Sequence, residues 1–290
     1  VTTRAAKAAA PAARAPRGFP SIASALAAWP GVRLLDVREP EAFRRGHAAG
    51  AGHVPAGAFA ERRMELPARE QPLLVLHDEA ERAREVALAL AARGYEGVGW
   101  LAAPLAGDRD GLASREPAAR LWSPSPFLER EHARAPRGRA LDLACGTGRA
   151  TVFLAASGWD AEGWDVDDSA LERARAFAAR ERVRARFARV DLELGPVPVR
   201  DAAYELVTVS RFLHRELYPW IERALAPGGV LFYETFRLGQ ERFGPPRRPR
   251  HLLGPGELLR AFPSLRVEWH EESATGTPPV MARLVARRPG

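Results

Sequence analysis

Twelve consecutive residues, Ala140–Thr151 (ALDLACGTGRAT), restrict the fold more than any other part of this 290-residue chain. An apolar run through Ala140, Leu141 and Leu143 carries Asp142 near its end; Cys145-Gly146-Thr147-Gly148 follow, and an Ala-rich helical pattern begins at Arg149. The order predicts a strand, a tight glycine turn and a helix N-terminus. Gly146 and Gly148 lack a Cβ, so a ligand can approach their backbone, and the helix start offers unpaired N–H groups. About one strand later, Gly163-Trp164-Asp165 puts a carboxylate at the end of the next apolar run, where open α/β sheets hold a ribose. The pattern predicts an α/β fold that binds a nucleoside-bearing ligand at the carboxyl edge of its sheet.

Two details narrow that ligand. A nicotinamide-type G-x-G-x-x-G starting at Gly146 needs glycine at position 151, which is Thr151. An acid-x-G-x-G-x-G pattern instead puts Asp142 ahead of the turn, as here, with Ala144 standing where its first glycine is expected. From Ala140 onward the chain resembles the class I S-adenosylmethionine (SAM)-dependent methyltransferases, particularly the small-molecule branch related to tellurite-resistance methyltransferases. The resemblance implies a Rossmann-like domain with a seven-stranded mixed sheet, and SAM as cofactor. It implies that Asp142, Ala144, Gly146 and Gly148 surround the methionine portion and ribose, and that Asp165 accepts from the ribose hydroxyls. Asp191, with Leu192 beside it, would meet the adenine amino group, and Ser210 would complete the cofactor set. Helix capping or turn formation is the alternative for Asp165 and Asp191. Cys145, inside the turn, reads as a small packing residue rather than a nucleophile.

The strand–helix series continues in order. Helix Arg149–Ala156 precedes strand Ala161–Asp165, and Asp168-Ser169 is expected to cap a helix whose Leu171, Ala174, Phe177 and Ala178 form an apolar face. Strands are predicted at Arg186–Val190, Tyr204–Ser210 and Val230–Thr235, with Leu265–His270 and Val280–Ala286 as a closing pair. No [DN]-P-P-[YF] motif follows the strand ending at Ser210, which argues against the amino-methylating nucleic-acid enzymes. Arg211, His214 and Arg215 instead suggest a polar or anionic small acceptor, with His214 a candidate base. Their alternative is a plain helix start that ties the loop. Gly244–Leu253, rich in Pro and Arg, is either an anion-binding lid or a solvated loop.

The first hundred residues also alternate strand and helix, which indicates a parallel sheet. An amphipathic segment Ile22–Trp29 leads to a strand at Val32–Val37; strand Leu73–Leu76, a helix from Arg82 to Arg93, Gly94 as its stop, and strand Val98–Leu101 follow. Asp36-Val37-Arg38-Glu39, Gly46-His47 and His53-Val54-Pro55 resemble a rhodanese domain. In that family a catalytic cysteine follows the strand equivalent to Leu73–Leu76; here the position is His77, and the next residues include Asp78, Glu79 and Glu81. A persulfide cannot form on imidazole, and the carboxylates would repel a sulfur anion, so the domain reads as inactive. Asp36 and Arg38 read as loop-tying residues.

These readings divide the chain into a disordered lead 1–18, an inactive rhodanese-like domain 19–106, a linker 107–120 and a methyltransferase domain 121–290. Trp122 and Phe127, around the prolines before that domain, either line the cofactor pocket or pack between domains. The net charge of +7 and pI near 10.5 invite a nucleic-acid partner. Lys7 is the only lysine, however, and the arginines are spread through both halves among acids. The expected partner is therefore a small-molecule methyl acceptor, a thiol or chalcogen first and an imidazole or other nitrogen second. RNA methylation and non-catalytic SAM binding are the alternatives. A single cysteine excludes an intrachain disulfide and fits a cytoplasmic setting; no apolar stretch approaches the ~20 residues of a membrane span, no metal site is legible, and a homodimer is allowed for.

Overall fold

In the computed structural model, which describes residues 15–102, 113–114, 116–194, 197–198 and 200–290, the chain forms two units, 1–122 and 123–290. Most of the expected lead and linker lies outside the described residues. Among those residues, no helix is long and apolar enough to cross a membrane.

In the first unit, β1 (Arg17–Gly18), α1 (Ile22–Ala28), β2 (Arg33–Asp36), α2 (Pro40–Arg45), β3 (His47–Ala48) and β4 (Gly52–His53) precede the short α3 (Phe59–Arg62). Next come β5 (Leu73–His77), α4 (Ala80–Ala92), β6 (Val98–Ala102) and β7 (Ala113–Ser114). The main sheet runs β1-β6-β5-β2-β4, all parallel, while β3 and β7 form a separate antiparallel pair. Leu73–Leu76 are fully buried, as strands covered on both faces must be, and α4 seals one face with Ala83, Val86, Ala87 and Leu90. Arg17–Gly18, assigned to the lead, instead form an edge strand, because Arg17 and Gly18 pair in register with Gly99 and Trp100.

The second unit contains α5 (Pro126–Glu131), β8 (Arg139–Leu143), α6 (Arg149–Ala156), β9 (Asp160–Asp165), α7 (Asp168–Arg180), β10 (Ala185–Arg189) and β11 (Tyr204–Ser210). It closes with α8 (Tyr218–Ala224), β12 (Leu225–Phe236), α9 (Glu257–Arg260), β13 (Arg266–Glu272) and β14 (Met281–Arg287). The seven strands run β10-β9-β8-β11-β12-β14-β13, parallel except for β14, which is antiparallel to both neighbours. This is the mixed sheet expected from the sequence. Strand order reverses between β8 and β11, so their carboxyl ends flank the crevice where such sheets bind ligands.

Two local readings change. The cap of α7 is Asp167, not Asp168-Ser169: its Oδ1 accepts from the N–H groups of Ser169 and Ala170 at 2.9 and 3.2 Å, as an N-cap oxygen must. β12 begins at Leu225, because the register shift between Tyr204 and Leu206 lets the Pro-Gly-Gly turn lie along the sheet. Trp122 is buried, with the Arg120 guanidinium 4.4 Å from its ring centroid, and Phe127 stacks on Trp269 and meets Phe232 edge-on.

Candidate functional site

The turn after β8 is built by backbone conformation. Ala144, Gly146 and Gly148 have φ of +55, +53 and +77°, the left-handed region that favours glycine. Ala144 therefore occupies a glycine-type position and carries a Cβ there under strain. The two glycines differ in purpose. A Cβ on Gly146 would meet nothing within 4 Å, so this is the stretch of turn open to a ligand. A Cβ on Gly148 would lie 2.8 Å from Ala174 and 2.9 Å from Phe187, so Gly148 lets α7 and β10 pack close. At Gly163 the same test meets Thr151 Oγ1 at 2.6 Å and Cys145 Sγ at 2.9 Å, so the turn also rests on β9.

Asp165 ties the turn to the next strand. Its Oδ2 accepts from the Gly146 N–H at 2.7 Å and its Oδ1 from the Asp167 N–H at 3.0 Å. A carboxylate has about four acceptor sites, so this half-buried group keeps capacity for hydroxyl donors. Asp191, beyond β10, is also half-buried, and its Oδ1 accepts from the Glu193 N–H at 2.9 Å; Leu192 turns inward to the core. Gly146, Asp165, Asp191 and Ser210 thus stand at the carboxyl ends of adjacent strands.

Asp142 is not among the cleft residues. It is 2% exposed, and its Oδ2 accepts from Thr151 N–H at 3.1 Å and Thr151 Oγ1–H at 2.7 Å, pinning the first turn of α6 to β8. Burial pushes its carboxyl up to about 7; the Thr151 bonds oppose that shift and the Asp165 charge adds to it. Cys145 donates its backbone N–H to Trp164, and burial with the nearby Asp142 and Asp165 charges pushes its thiol strongly upward. Both effects oppose formation of a thiolate.

The segment after β11 separates the remaining candidates. Arg211 is exposed, with φ +56°, and its N–H donates to the Glu234 carbonyl at 2.8 Å. His214 is 23% exposed, with Nε2 3.8 Å from Glu216. Arg215, expected beside them as an acceptor-binding residue, is committed elsewhere. Its Nε and Nη2 donate to Glu257 at 2.6 and 3.0 Å, Nη1 to the Arg250 carbonyl and Nη2 to the Leu252 carbonyl. It fastens the segment before α9. Sequence reading also missed Glu234, 5% exposed, which accepts from Ser210 Oγ at 3.0 Å. An acid directly after the apolar run Val230–Tyr233 was the available signal.

A groove of about 490 Å³ lies along β9 and β10 on the Glu162–Trp164 face, away from the turn. Two of its arginines are paired within it, Arg186 to Asp160 at 2.6 Å and Arg139 to Glu162 at 3.9 Å, and the glycine turn, with its open backbone, is the better candidate.

In the first unit, Arg38 is 2% exposed, with Nε and Nη2 donating to Asp36, Nη1 to Asp78 and Nη2 to the Gly46 carbonyl. The Asp36 and Asp78 carboxylates hold its guanidinium above the ordinary arginine range against the opposing effect of burial. At His77, Nδ1 accepts the Glu79 N–H at 2.9 Å, so the imidazole occupies a donor at the entrance to α4.

Comparison with known proteins agrees with this division. Residues 20–103 match the rhodanese-like domain family and residues 140–229 the methyltransferase domain family. A ribosomal RNA small subunit methyltransferase C from Alcanivorax borkumensis is 30% identical over 105 residues, 33% of this chain and 31% of that protein. An uncharacterized methyltransferase from Synechocystis sp. is 32% identical over 119 residues, 38% of this chain and 53% of that protein. The chain thus matches about half or less of these relatives' lengths. A solved S-adenosylmethionine-dependent methyltransferase from Mesorhizobium loti aligns with 54% of this chain and 95% of its own, at 22% identity and a TM-score of 0.45.

Proposed function

We propose that this chain, a rhodanese-like domain followed by a methyltransferase domain, transfers a methyl group from SAM to a small-molecule acceptor. A thiol or other chalcogen is the first choice and an imidazole or other nitrogen the second. The observation that carries the cofactor reading is the Gly146–Asp165 link: an open glycine backbone laced to a carboxylate at the end of the next strand. The residues present fit the group. A Cβ-free surface admits the ligand chain, and Asp165 and Asp191 are acceptors suited to ribose hydroxyls and an adenine amino group.

When bound, SAM supplies an electrophilic methyl group on a sulfonium. The protein's own task is to hold an acceptor lone pair in line, exclude water and remove a proton where the acceptor carries one. His214 is the candidate for that proton, its imidazole being partly exposed just beyond β11. Arg211 is free to meet a polar acceptor, while Arg215 is not. In the first domain His77 replaces the nucleophile, so we read that domain as non-catalytic.

RNA methylation is the second reading, favoured by the exposed Arg242, Arg247, Arg248 and Arg250 after β12 and by the named function of the Alcanivorax relative. The test is S-adenosylhomocysteine release from SAM against separate pools of thiols and chalcogen oxyanions, imidazoles and amines, and bulk tRNA. Turnover confined to the thiol pool supports the first choice. Turnover confined to tRNA, falling steeply with salt, supports the second reading and overturns the small-molecule one.

A further inference from the structure

A polar row crosses four strands at one edge of the second unit's sheet. Ser210 on β11 is registered with Glu234 on β12, Glu234 with Arg283 on β14, and Arg283 with Glu271 on β13. Ser210 Oγ donates to Glu234 Oε1 at 3.0 Å, Arg283 Nε reaches Glu234 Oε2 at 3.4 Å, and Arg283 Nη1 donates to Glu271 Oε2 at 3.0 Å. Glu271 is half-exposed; at the other end Ser210 stands in the crevice beside β8.

Burying a carboxylate is costly, and its compensation here is incomplete. Glu234 is 5% exposed, its contact with Arg283 is long, and Arg283 is shared with the outer carboxylate. A hydroxyl and an apolar residue would join β11 and β12 at lower cost. On the crevice side, Ser210 stands between Glu234 and the open carboxyl edge of the sheet.

The strand order bears on the ligand that the proposed site would take. Were adenine to meet Asp191 beyond β10 and the ribose Asp165 on β9, the sulfur end of SAM would lie toward β8 and β11. We infer that Glu234, acting through Ser210, sets the preference of this site for the charged methyl donor over its neutral spent form; this rests on the SAM reading above. SAM and S-adenosylhomocysteine differ at sulfur by one methyl group and one unit of positive charge. A buried anion on that side attracts the sulfonium and has little hold on the thioether. When the methyl group leaves, sulfur keeps the bonding electron pair, the attraction disappears, and the spent form is released more readily. Glu234 is thus a positioning and specificity residue, with Ser210 the group in contact.

The experiment is calorimetric titration of the full chain with SAM and, separately, with S-adenosylhomocysteine, in wild type, Glu234→Gln and Ser210→Ala. Glu234→Gln keeps the shape and can still accept the Ser210 hydroxyl. The expected result is a loss of about tenfold in SAM affinity with S-adenosylhomocysteine affinity held within about twofold. Ser210→Ala, which retains the charge, should narrow the ratio less; if Glu234→Gln does not fold, that smaller narrowing carries the test. An equal loss for both ligands, as a purely structural role would give, or an unchanged ratio overturns the inference. Wild type binding neither ligand overturns the SAM reading and this inference together, whereas wild type binding both with no selective loss overturns this inference alone.

Discussion

Ala144 shows how one methyl group can be read energetically. Left-handed backbone costs a non-glycine residue roughly 1–2 kcal/mol, and Ala144 sits there at φ +55°. Ala144→Gly should therefore raise stability to urea by about 1 kcal/mol, less what glycine adds to the unfolded chain's entropy; a loss would mean the turn is not strained as described. Asp142 supplies a pH test. Its folded carboxyl titrates near 7, above its unfolded value, so between about pH 4 and 7 the folded state keeps a proton that the unfolded state has released. That contribution to stability is complete below the unfolded pKa and is lost as pH rises through 7. Asp142→Asn removes the slope, and its stability relative to wild type should climb over this range by at most about 1.4 kcal/mol per pH unit. A pH-independent difference between the two proteins would show that Asp142 is ionised throughout. The two turn glycines should also separate: Gly146→Ala carries the left-handed strain of roughly 1–2 kcal/mol but meets no protein atom, so beyond that cost it should weaken SAM binding, whereas Gly148→Ala adds a collision with Ala174 and Phe187 to the same strain and should lower the melting temperature further. The reverse assignment, read by calorimetry and thermal melts, would contradict the division of labour.

Arg215 bears on how elements are held together. It connects the turn before α8 to the carbonyls of Arg250 and Leu252 and to Glu257 at the start of α9, more than thirty residues away in sequence. Glu257→Gln should speed amide hydrogen exchange across residues 249–257 while leaving β11 and β12 unchanged; unaltered exchange in that segment would deny the fastening role. The same residue marks the limit of sequence reading. Periodicity reports which side of a strand is buried, so the strands Tyr204–Ser210, Leu73–Leu76 and the closing pair were legible. The glycine turn was legible because it needs particular residue types at fixed spacing. Partners brought together by tertiary folding were not: nothing near Arg215 announces Glu257, and nothing near Ser210 announces Glu234. The burial of Asp142 was not legible for a related reason. Its residue type and spacing suit a cleft, but its register directs the carboxylate beneath the turn, to Thr151.

At the scale of the whole chain, the two α/β units differ in the chemistry of the loops at their sheet edges. In the rhodanese-like domain, Arg38 holds Asp78, His77 takes the Glu79 N–H, and carboxylates flank the helix entrance that would favour an anion. His77→Cys alone should therefore give no thiosulfate sulfurtransferase activity; robust cyanide-dependent thiocyanate formation would show that the acidic loop still admits a sulfur anion. In the methyltransferase domain the corresponding sheet edge keeps an open turn and acceptor carboxylates. The most direct test of that contrast is SAM binding by the full chain, measured calorimetrically for wild type and for Asp165→Ala with an unchanged circular dichroism spectrum. Saturable binding by wild type and a loss of at least about tenfold in the variant, as removal of a charged hydrogen-bond acceptor should give, is the result expected. Equal affinity in the two proteins would contradict the cofactor assignment.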